Sequence, residues 1–273
     1  MDILQGVTFG PDRFELAGFT FLLQHQRPEN TSPDGFVVYK QPRQLSQYQA
    51  LFAQTGFAPR TMLELGIWDG GSAAFWTEAL GLEAYVAIDL QERGDSEYFR
   101  SWLARRGHGR VRTHWGVDQT DAAALAAILE PDLREIDIVI DDASHMPGPT
   151  IRSFEILFPR VRPGGWYVIE DWAWALQPEF QSKSHPWSVL PALHPVIHRL
   201  IELQGSKPDM IEAIHVLPEA VVVVRGTAVP EDLDVKTEIA RRGRPVGRIV
   251  AKRARRTAGA VRRGIRARRT PPS

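Results

Sequence analysis

The chain has 273 residues, of which 43% are hydrophobic and 24% are charged, and it contains no cysteine. This composition suits one α/β domain with appendages and excludes disulfides, thiolate metal sites and cysteine nucleophiles. The sequence shows no signal-peptide pattern and no apolar run of about 20 residues. We therefore expect a soluble, cytoplasmic protein.

The charges are distributed unevenly, although the formal net charge is zero. Residues 240–273 carry 13 Lys and Arg and no acid, which leaves 20 basic and 33 acidic residues in residues 1–239. We predict three parts: an N-terminal cap and helix over residues 1–55, a main domain over 56–239 and a basic tail over 240–273.

Small apolar residues recur at helical spacing among the arginines of the tail. They are Val246, Val250, Ala254, Ala258, Val261 and Ile265. This pattern is typical of a basic amphipathic helix that lies on an anionic membrane surface, which would make the protein peripheral to the membrane. Nucleic acid is the less favoured partner, because the tail has no aromatic residue on which bases stack. A disordered solubilising tail is the alternative.

Apolar, β-branched segments alternate with helical segments from Met62 onward. The strands read MLEL, AYVAIDL, VRTHW, IDIVI and WYVIEDW, and IEAIHVLPEAVVVVR adds a closing hairpin. This alternation predicts a doubly wound, mostly parallel α/β sheet. Between IDIVI and WYVIEDW we expect a loop, a helix that begins at Ile151 and a turn at RPGG. Before it, residues 1–40 predict short strands, and a helix ending at Thr55 directs Leu45, Tyr48, Leu51 and Phe52 inward.

The first core strand leads into a glycine-rich turn that is suited to a ligand. Gly66 and Gly70 allow a tight turn and a close backbone approach, and Ser72 is predicted to cap the following helix. Glu64 places a carboxylate at the strand end, where it suits a cationic ligand. The turn is a weak signal by itself, since it matches neither GxGxxG nor a triphosphate-binding GK[ST].

Further polar residues follow the second and third strands. Asp89 ends the second strand, where an acid commonly accepts both hydroxyls of a ribose. Asp118 suits an adenine amino group or, equally, the cap of the next helix, and Gln119 suits the lining of the same pocket.

Two acidic pairs follow the next two strands, within Ile136–Trp172. Asp141 and Asp142 follow IDIVI, Glu170 and Asp171 follow WYVI, and His145 comes three residues after the first pair. The carboxyl ends of parallel strands meet at one edge of a sheet, where such folds bind ligands. Carboxylates without cysteine suit a hard cation such as Mg²⁺, so this edge is predicted to be a metal and acid–base site.

These segments together resemble a known enzyme family. ELGIWDGGS, AIDL, GVDQ, DDASH, SFEILFPRVRPGG and YVIEDW span about residues 64–172 and are similar to class I S-adenosylmethionine (SAM)-dependent O-methyltransferases. The similar branch comprises the macrolide sugar O-methyltransferases of the mycinamicin and macrocin type, with cephalosporin hydroxylase-like and rhamnosyl O-methyltransferase sequences nearby. The resemblance implies a Rossmann-like methyltransferase fold.

The resemblance also implies residue roles. Asp142, Glu170 and Asp171 would bind Mg²⁺, and His145 would be the general base. The residues implied to line the SAM pocket are Glu64, Gly66, Asp89, Asp118, Gln119 and Asp141. Ala143 departs from the family, which has glycine there, and it fits only if its φ angle is negative.

The expected function is therefore Mg²⁺-dependent transfer of a methyl group from SAM to a hydroxyl of a sugar, a glycosylated natural product or a glycolipid. Residues 173–207 are predicted to form a lid over the acceptor. The aromatic residues Trp172, Trp174, Phe180 and Trp187 would belong to this lid or, alternatively, cover the edge of the sheet. The alternatives are a hydroxylase-like or other non-methylating protein of this fold, and a non-catalytic binding protein acting through its tail. The oligomeric state is left open, with a homo-oligomer as one outcome.

Overall fold

A seven-stranded, mostly parallel sheet forms the centre of the computed structural model, which describes residues 2–23, 32, 34–38, 40–107 and 109–239. Its strands are β5 (Thr61–Leu65), β6 (Ala84–Asp89), β7 (Val111–Trp115), β8 (Ile136–Asp141), β9 (Val161–Glu170), β10 (Ile211–Val216) and β11 (Ala220–Arg225). Their spatial order is β10-β11-β9-β8-β5-β6-β7. The predicted doubly wound α/β sheet is confirmed.

The five strands from β7 to β9 are parallel, whereas β11 is antiparallel to both of its neighbours. The predicted final hairpin is therefore present, and its second strand lies inside the sheet. Both β8 and β11 are buried along their whole length, because helices or the cap cover both faces of the sheet. This explains why their sequences are continuous apolar runs without alternation.

Helices divide the core into two layers. On one face lie α1 (Pro42–Thr55), α2 (Gly71–Leu80) and α3 (Glu97–Trp102), and on the other lie α4 (Ala122–Asp132), α5 (Pro147–Leu157) and α6 (His194–Ser206). A short α7 (Val235–Glu238) packs on the second face. The predicted inward residues of α1 are all buried: Leu45, Tyr48, Leu51 and Phe52.

A small separate sheet forms the cap, with strands β1 (Thr8–Phe9), β2 (Arg13–Leu16), β3 (Phe19–Leu23) and β4 (Phe36–Val38) in that order. Its aromatic residues pack on the first face of the main domain. Phe14 and Phe21 stack on each other, and both meet the edge of Phe75 in α2. This packing places the end of β4 close to the carboxyl edge of the main sheet.

Two local expectations were wrong. Helix α5 begins at Pro147 rather than at Ile151, because proline fits the first turn of a helix, where its missing N–H costs nothing. The segment RPGG is part of β9 rather than a turn before it.

The basic tail and the predicted helix within it lie outside the described residues, so the membrane-surface role remains a prediction. Within residues 2–23, 34–38, 40–107 and 109–239, no helix is long and apolar enough to cross a membrane. The proposed boundaries at residues 55 and 239 likewise remain predictions.

Candidate active site

The site lies where the strand order reverses, between β5 and β8. Leu65 pairs with Asp141 across these strands, and Asp142 N donates to Leu65 O at 3.0 Å. The loops that follow the two strands therefore run side by side. In open α/β sheets this reversal point is where ligands bind.

Gly66 is required for this close approach of the two loops. Its φ angle is +101°, and a Cβ atom there would lie 2.5 Å from the carbonyl oxygen of Asp142. Both the conformation and the contact exclude a side chain. The predicted role of Gly66 as a turn residue at the ligand edge is consistent with this geometry.

Glu64 lies fully buried below the glycine turn. Its Oε2 accepts hydrogen bonds from Ser72 Oγ at 2.7 Å and from the Tyr85 hydroxyl, while its Oε1 is buried with no partner among the described residues. Burial raises the pKa of Glu64 to about 7. This buried, unpaired carboxylate oxygen suits a hydrogen-bond donor on a cationic ligand, since a buried acceptor without a partner costs free energy.

Ser72 has a different local role from the one expected. Gly70 is the N-cap of α2, with φ +77°, and no side chain caps this helix end. The Ser72 hydroxyl instead donates to Glu64. The helix-cap prediction for Ser72 was therefore wrong, although the residue does lie at the predicted ligand edge.

Asp89 holds the glycine turn in place. Its Oδ2 accepts from the backbone N–H groups of Ile67 at 2.9 Å and Trp68 at 3.2 Å, and its Oδ1 accepts from Gln91 N at 2.8 Å. A carboxylate has about four acceptor positions, so Oδ1 retains capacity for a ligand hydroxyl. The ribose role of Asp89 stays a prediction.

Asp118 does not cap the next helix. Asp121 is the N-cap of α4 and accepts from Ala123 N and Ala124 N, whereas Asp118 Oδ1 accepts from Thr120 N and Thr120 Oγ1, both at 2.8 Å. The cap alternative for Asp118 is thereby excluded. Its contact with adenine remains a prediction.

Asp141 and Asp142 are adjacent in sequence but have separate partners. Asp141 Oδ2 accepts from Ser153 Oγ at 2.8 Å and from the Tyr167 hydroxyl at 3.0 Å, and Gln119 Nε2 donates to Oδ1 at 3.2 Å. Burial raises the pKa of Asp141. Gln119 and Asp141 thus belong to one buried polar network under the ligand edge, and the sequence analysis had not assigned Ser153 and Tyr167 to it.

Asp142, His145 and Asp171 converge on one point at the sheet edge. His145 Nε2 lies 3.9 Å from Asp142 Oδ1 and 3.9 Å from Asp171 Oδ2. One donor atom from each residue lies within 4.8 Å of the other two, a spacing that could hold a metal ion. The structure therefore brings together two of the three predicted metal ligands and the predicted base.

The backbone at this point is unusual. His145 and Asp171 have φ angles of +52° and +51°, in the left-handed region that non-glycine residues rarely adopt. Such conformations persist where the surroundings fix them, and they concentrate at functional sites. Ala143 is not among the positive-φ residues, so alanine fits at the position where the family has glycine.

Glu170, the third predicted ligand, contacts two residues that the sequence analysis did not assign to the site. Lys40 Nζ lies 2.6 Å from its Oε2 and the Tyr48 hydroxyl 2.7 Å from its Oε1. Lys40 Nζ also lies 3.1 Å from Asp142 Oδ2. No motif surrounds Lys40, and the inward position of Tyr48 was the only signal in the sequence.

The segment after β9 forms a mostly apolar cavity, and one of its lining residues, Trp174, contacts His145. The Trp174 indole N–H donates to the backbone carbonyl of His145 at 3.1 Å. Trp174, Phe180 and Trp187 line a cavity of about 510 Å³ together with Val189 and Leu190. Trp172, a fourth predicted lid residue, instead donates to Leu217 O at 2.9 Å.

The segment that contains this edge is similar to known proteins. Residues 63–172, from β5 to just beyond β9, match the family model described as a methyltransferase domain. The strand order, with one antiparallel strand next to the last, is that of class I methyltransferases.

Named relatives fall within the expected group. The chain is 36% identical to demethylmacrocin O-methyltransferase of Streptomyces fradiae over 46% of this chain and 30% of that protein. It is 32% identical to 8-demethyl-8-alpha-L-rhamnosyl tetracenomycin-C 2'-O-methyltransferase of Streptomyces olivaceus over 49% of this chain and 34% of that protein. The aligned region therefore spans about a third of the length of these relatives.

A solved structure shows the same likeness. The MycE methyltransferase of the mycinamycin biosynthetic pathway, in complex with Mg and SAH, superposes with a TM-score of 0.50 and 27% identity. The superposition covers 67% of this chain and 49% of MycE. The predicted resemblance to macrolide sugar O-methyltransferases is thus confirmed.

Proposed function

We propose that this protein is a Mg²⁺- and SAM-dependent O-methyltransferase whose acceptor is a hydroxyl of a sugar or glycosylated natural product. One observation carries the proposal. The orphaned carboxylate oxygen of Glu64 and the cluster of Asp142, His145 and Asp171 lie at the same sheet edge, inside the segment that matches the methyltransferase domain.

The residues present fit both implied groups. Glu64 supplies a buried anionic acceptor for the cationic part of SAM, and Asp89 keeps acceptor capacity for its ribose. Asp142 and Asp171 supply hard oxygen ligands of the kind that Mg²⁺ prefers. When bound, SAM supplies the methyl group, and Mg²⁺ supplies Lewis acidity that favours ionisation of a sugar hydroxyl.

His145 takes the acceptor proton in this proposal. Its Nε2 lies 3.9 Å from a carboxylate oxygen of Asp142 and 3.9 Å from one of Asp171, so the ring is held at the acidic edge of the sheet. Trp174 fixes the backbone of His145 through its carbonyl. The contribution of the chain would thus be to hold the acceptor oxygen in line with the methyl–sulfur bond of SAM, which is the main requirement of a displacement reaction, with His145 beside that oxygen to take its proton.

The cavity whose wall includes Trp174, which hydrogen-bonds to His145, suits the apolar part of a glycosylated acceptor. Its aromatic lining, formed by Trp174, Phe180 and Trp187, packs against flat apolar or sugar surfaces, while the hydroxyl to be methylated points toward His145. The names of the two relatives above give demethylmacrocin and a rhamnosyl tetracenomycin as the molecules they methylate, and the rhamnosyl group supports a deoxysugar acceptor.

Calorimetric titration with SAM, with and without Mg²⁺, tests the cofactor. We expect binding by the unmodified chain, and absence of SAM binding would refute the proposal. Product analysis with a panel of rhamnosides and other deoxysugar glycosides then tests the acceptor class. We expect methylated product that disappears with EDTA and in Asp142→Ala, and product formation that survives EDTA would refute the metal role.

A further inference from the structure

Lys40 brings a buried positive charge into the acidic site. It lies between β4 of the cap and α1, two residues before the helix begins, and only 8% of the residue is exposed. Its ammonium lies 2.6 Å from Glu170 Oε2 and 3.1 Å from Asp142 Oδ2. The chain therefore places its own cation between two of the three predicted metal ligands.

The ammonium is paired with two carboxylates in this position. Burial acts to lower the pKa of Lys40, but the neighbouring carboxylates of Asp142 and Glu170 outweigh burial and raise its pKa well above the usual value. A buried charge is tolerated when it is paired and hydrogen-bonded. Lys40 is therefore held by the same carboxylates that a divalent cation would need.

We propose that Lys40 is an internal cation that competes with the metal ion for Glu170 and Asp142 and thereby sets the metal affinity of the site. The inference rests on the proposed function, since it concerns the metal that the reaction would use. It adds a positioning residue from the N-terminal cap to a site otherwise built from the methyltransferase domain.

The contacts of the carboxylate oxygens of Glu170 and Asp142 support competition between Lys40 and a metal ion. Both oxygens of Glu170 are engaged, Oε2 by Lys40 and Oε1 by Tyr48. Asp142 Oδ2 accepts from Lys40 Nζ, whereas Asp142 Oδ1 faces His145 Nε2. Two carboxylates, Asp142 and Asp171, thus face one point at the sheet edge together with His145, while Glu170 is held toward Lys40 and Tyr48.

Charge repulsion acts in the same direction. A divalent ion held by Asp142 would lie within a few ångströms of Lys40, at a separation where like charges in a partly buried site repel strongly. Removing the charge of Lys40 both removes this repulsion and releases Glu170 as a third oxygen ligand.

Binding of Mn²⁺ to the full chain tests the inference without any measurement of activity. The free Mn²⁺ signal in electron paramagnetic resonance gives the dissociation constant for the unmodified protein and three variants. We expect Lys40→Gln to bind Mn²⁺ at least tenfold more tightly. Lys40→Arg keeps the charge, and Tyr48→Phe removes the other hydrogen bond to Glu170 without changing any charge, so each should remain within threefold of the unmodified protein.

A second measurement uses the unmodified protein and so does not depend on the folding of a variant. Amine acylation followed by mass spectrometry reports the reactivity of Lys40, with the exposed Lys236 as internal reference. We expect Lys40 to react slowly without metal and at least fivefold faster with saturating Mn²⁺, because the metal displaces it from its carboxylates.

The outcomes separate this inference from the proposed function. If the unmodified protein binds Mn²⁺, unchanged or weaker binding by folded Lys40→Gln overturns the inference alone. An acylation rate of Lys40 that does not respond to bound Mn²⁺ also overturns it. If no variant binds Mn²⁺, both this inference and the metal role in the proposed function are refuted.

Discussion

The indole N–H of Trp174 donates a hydrogen bond of 3.1 Å to the main-chain carbonyl of His145. This bond joins the wall of the apolar cavity to a residue whose backbone is in the left-handed conformation. The orientation of the proposed base therefore depends on the segment that would bind the acceptor.

Trp174→Phe should lower turnover more than it changes acceptor binding. Phenylalanine keeps the apolar wall but loses the hydrogen bond, which is worth about 1 kcal/mol and hence about fivefold in rate. Steady-state kinetics should show kcat reduced about fivefold with KM within twofold. Trp187→Phe, which alters the same cavity without touching His145, should change KM rather than kcat. If Trp174→Phe changed mainly KM and Trp187→Phe changed mainly kcat, the coupling between the cavity wall and His145 would be contradicted.

His145→Ala should leave SAM binding intact and reduce turnover by about 100-fold or more, the usual contribution of a general base. The side chain faces Asp142 and Asp171 and makes no contact with Glu64 among the described residues, so the affinity measured by calorimetry should change less than twofold. His198→Ala, an exposed position on α6, is the matched control and should retain full turnover. Unchanged turnover in His145→Ala would rule out the base role.

SAM binding should strengthen as pH rises from 6 to 8. The pKa of Glu64 is raised to about 7 by burial, and the carboxylate rather than the neutral acid attracts the cationic cofactor. Binding must then release a proton below pH 7, so the affinity at pH 6 should be about tenfold lower than the plateau reached above pH 7. Calorimetry across this range should give a flat profile for Glu64→Gln. If SAM affinity depended on pH equally in the unmodified protein and in Glu64→Gln, Glu64 would be excluded as the cause of that dependence.

Gly66→Ala should destabilise the fold by about 2 kcal/mol or more, because a Cβ atom at φ +101° would lie 2.5 Å from Asp142 O. Gly205→Ala is the control. It lies inside α6 with no atom within 4 Å of the added Cβ, and alanine there should stabilise the helix by about 0.5–1 kcal/mol. Urea unfolding monitored by tryptophan fluorescence gives both values. Equal changes in the free energy of unfolding at the two positions would show that the close approach of the loops after β5 and β8 does not require glycine at position 66.

The sheet and the acidic edge could be predicted because their signals are local. Parallel strands are buried on both faces and so appear as continuous apolar runs, and the acids that follow IDIVI and WYVI must lie at the same edge. Side-chain partners across long sequence separations could not be predicted. Lys40 and Glu170 are 130 residues apart, and nothing in the sequence around Lys40 indicates that it contacts Glu170. Ser72 was misassigned because a serine near a helix start is compatible with both a cap and a bond to Glu64.

The insertion of β11 between β9 and β10 has a consequence for how the protein matures. Glu170 pairs with Ala220 across β9 and β11, and Asp171 N donates to Glu219 O at 2.7 Å. These contacts can form only after residues 219–225 have left the ribosome. Chains arrested before that point would contain the whole matched methyltransferase segment and yet lack the neighbour that fixes Glu170 and Asp171. The acidic site is therefore among the last parts of the domain to be completed during synthesis.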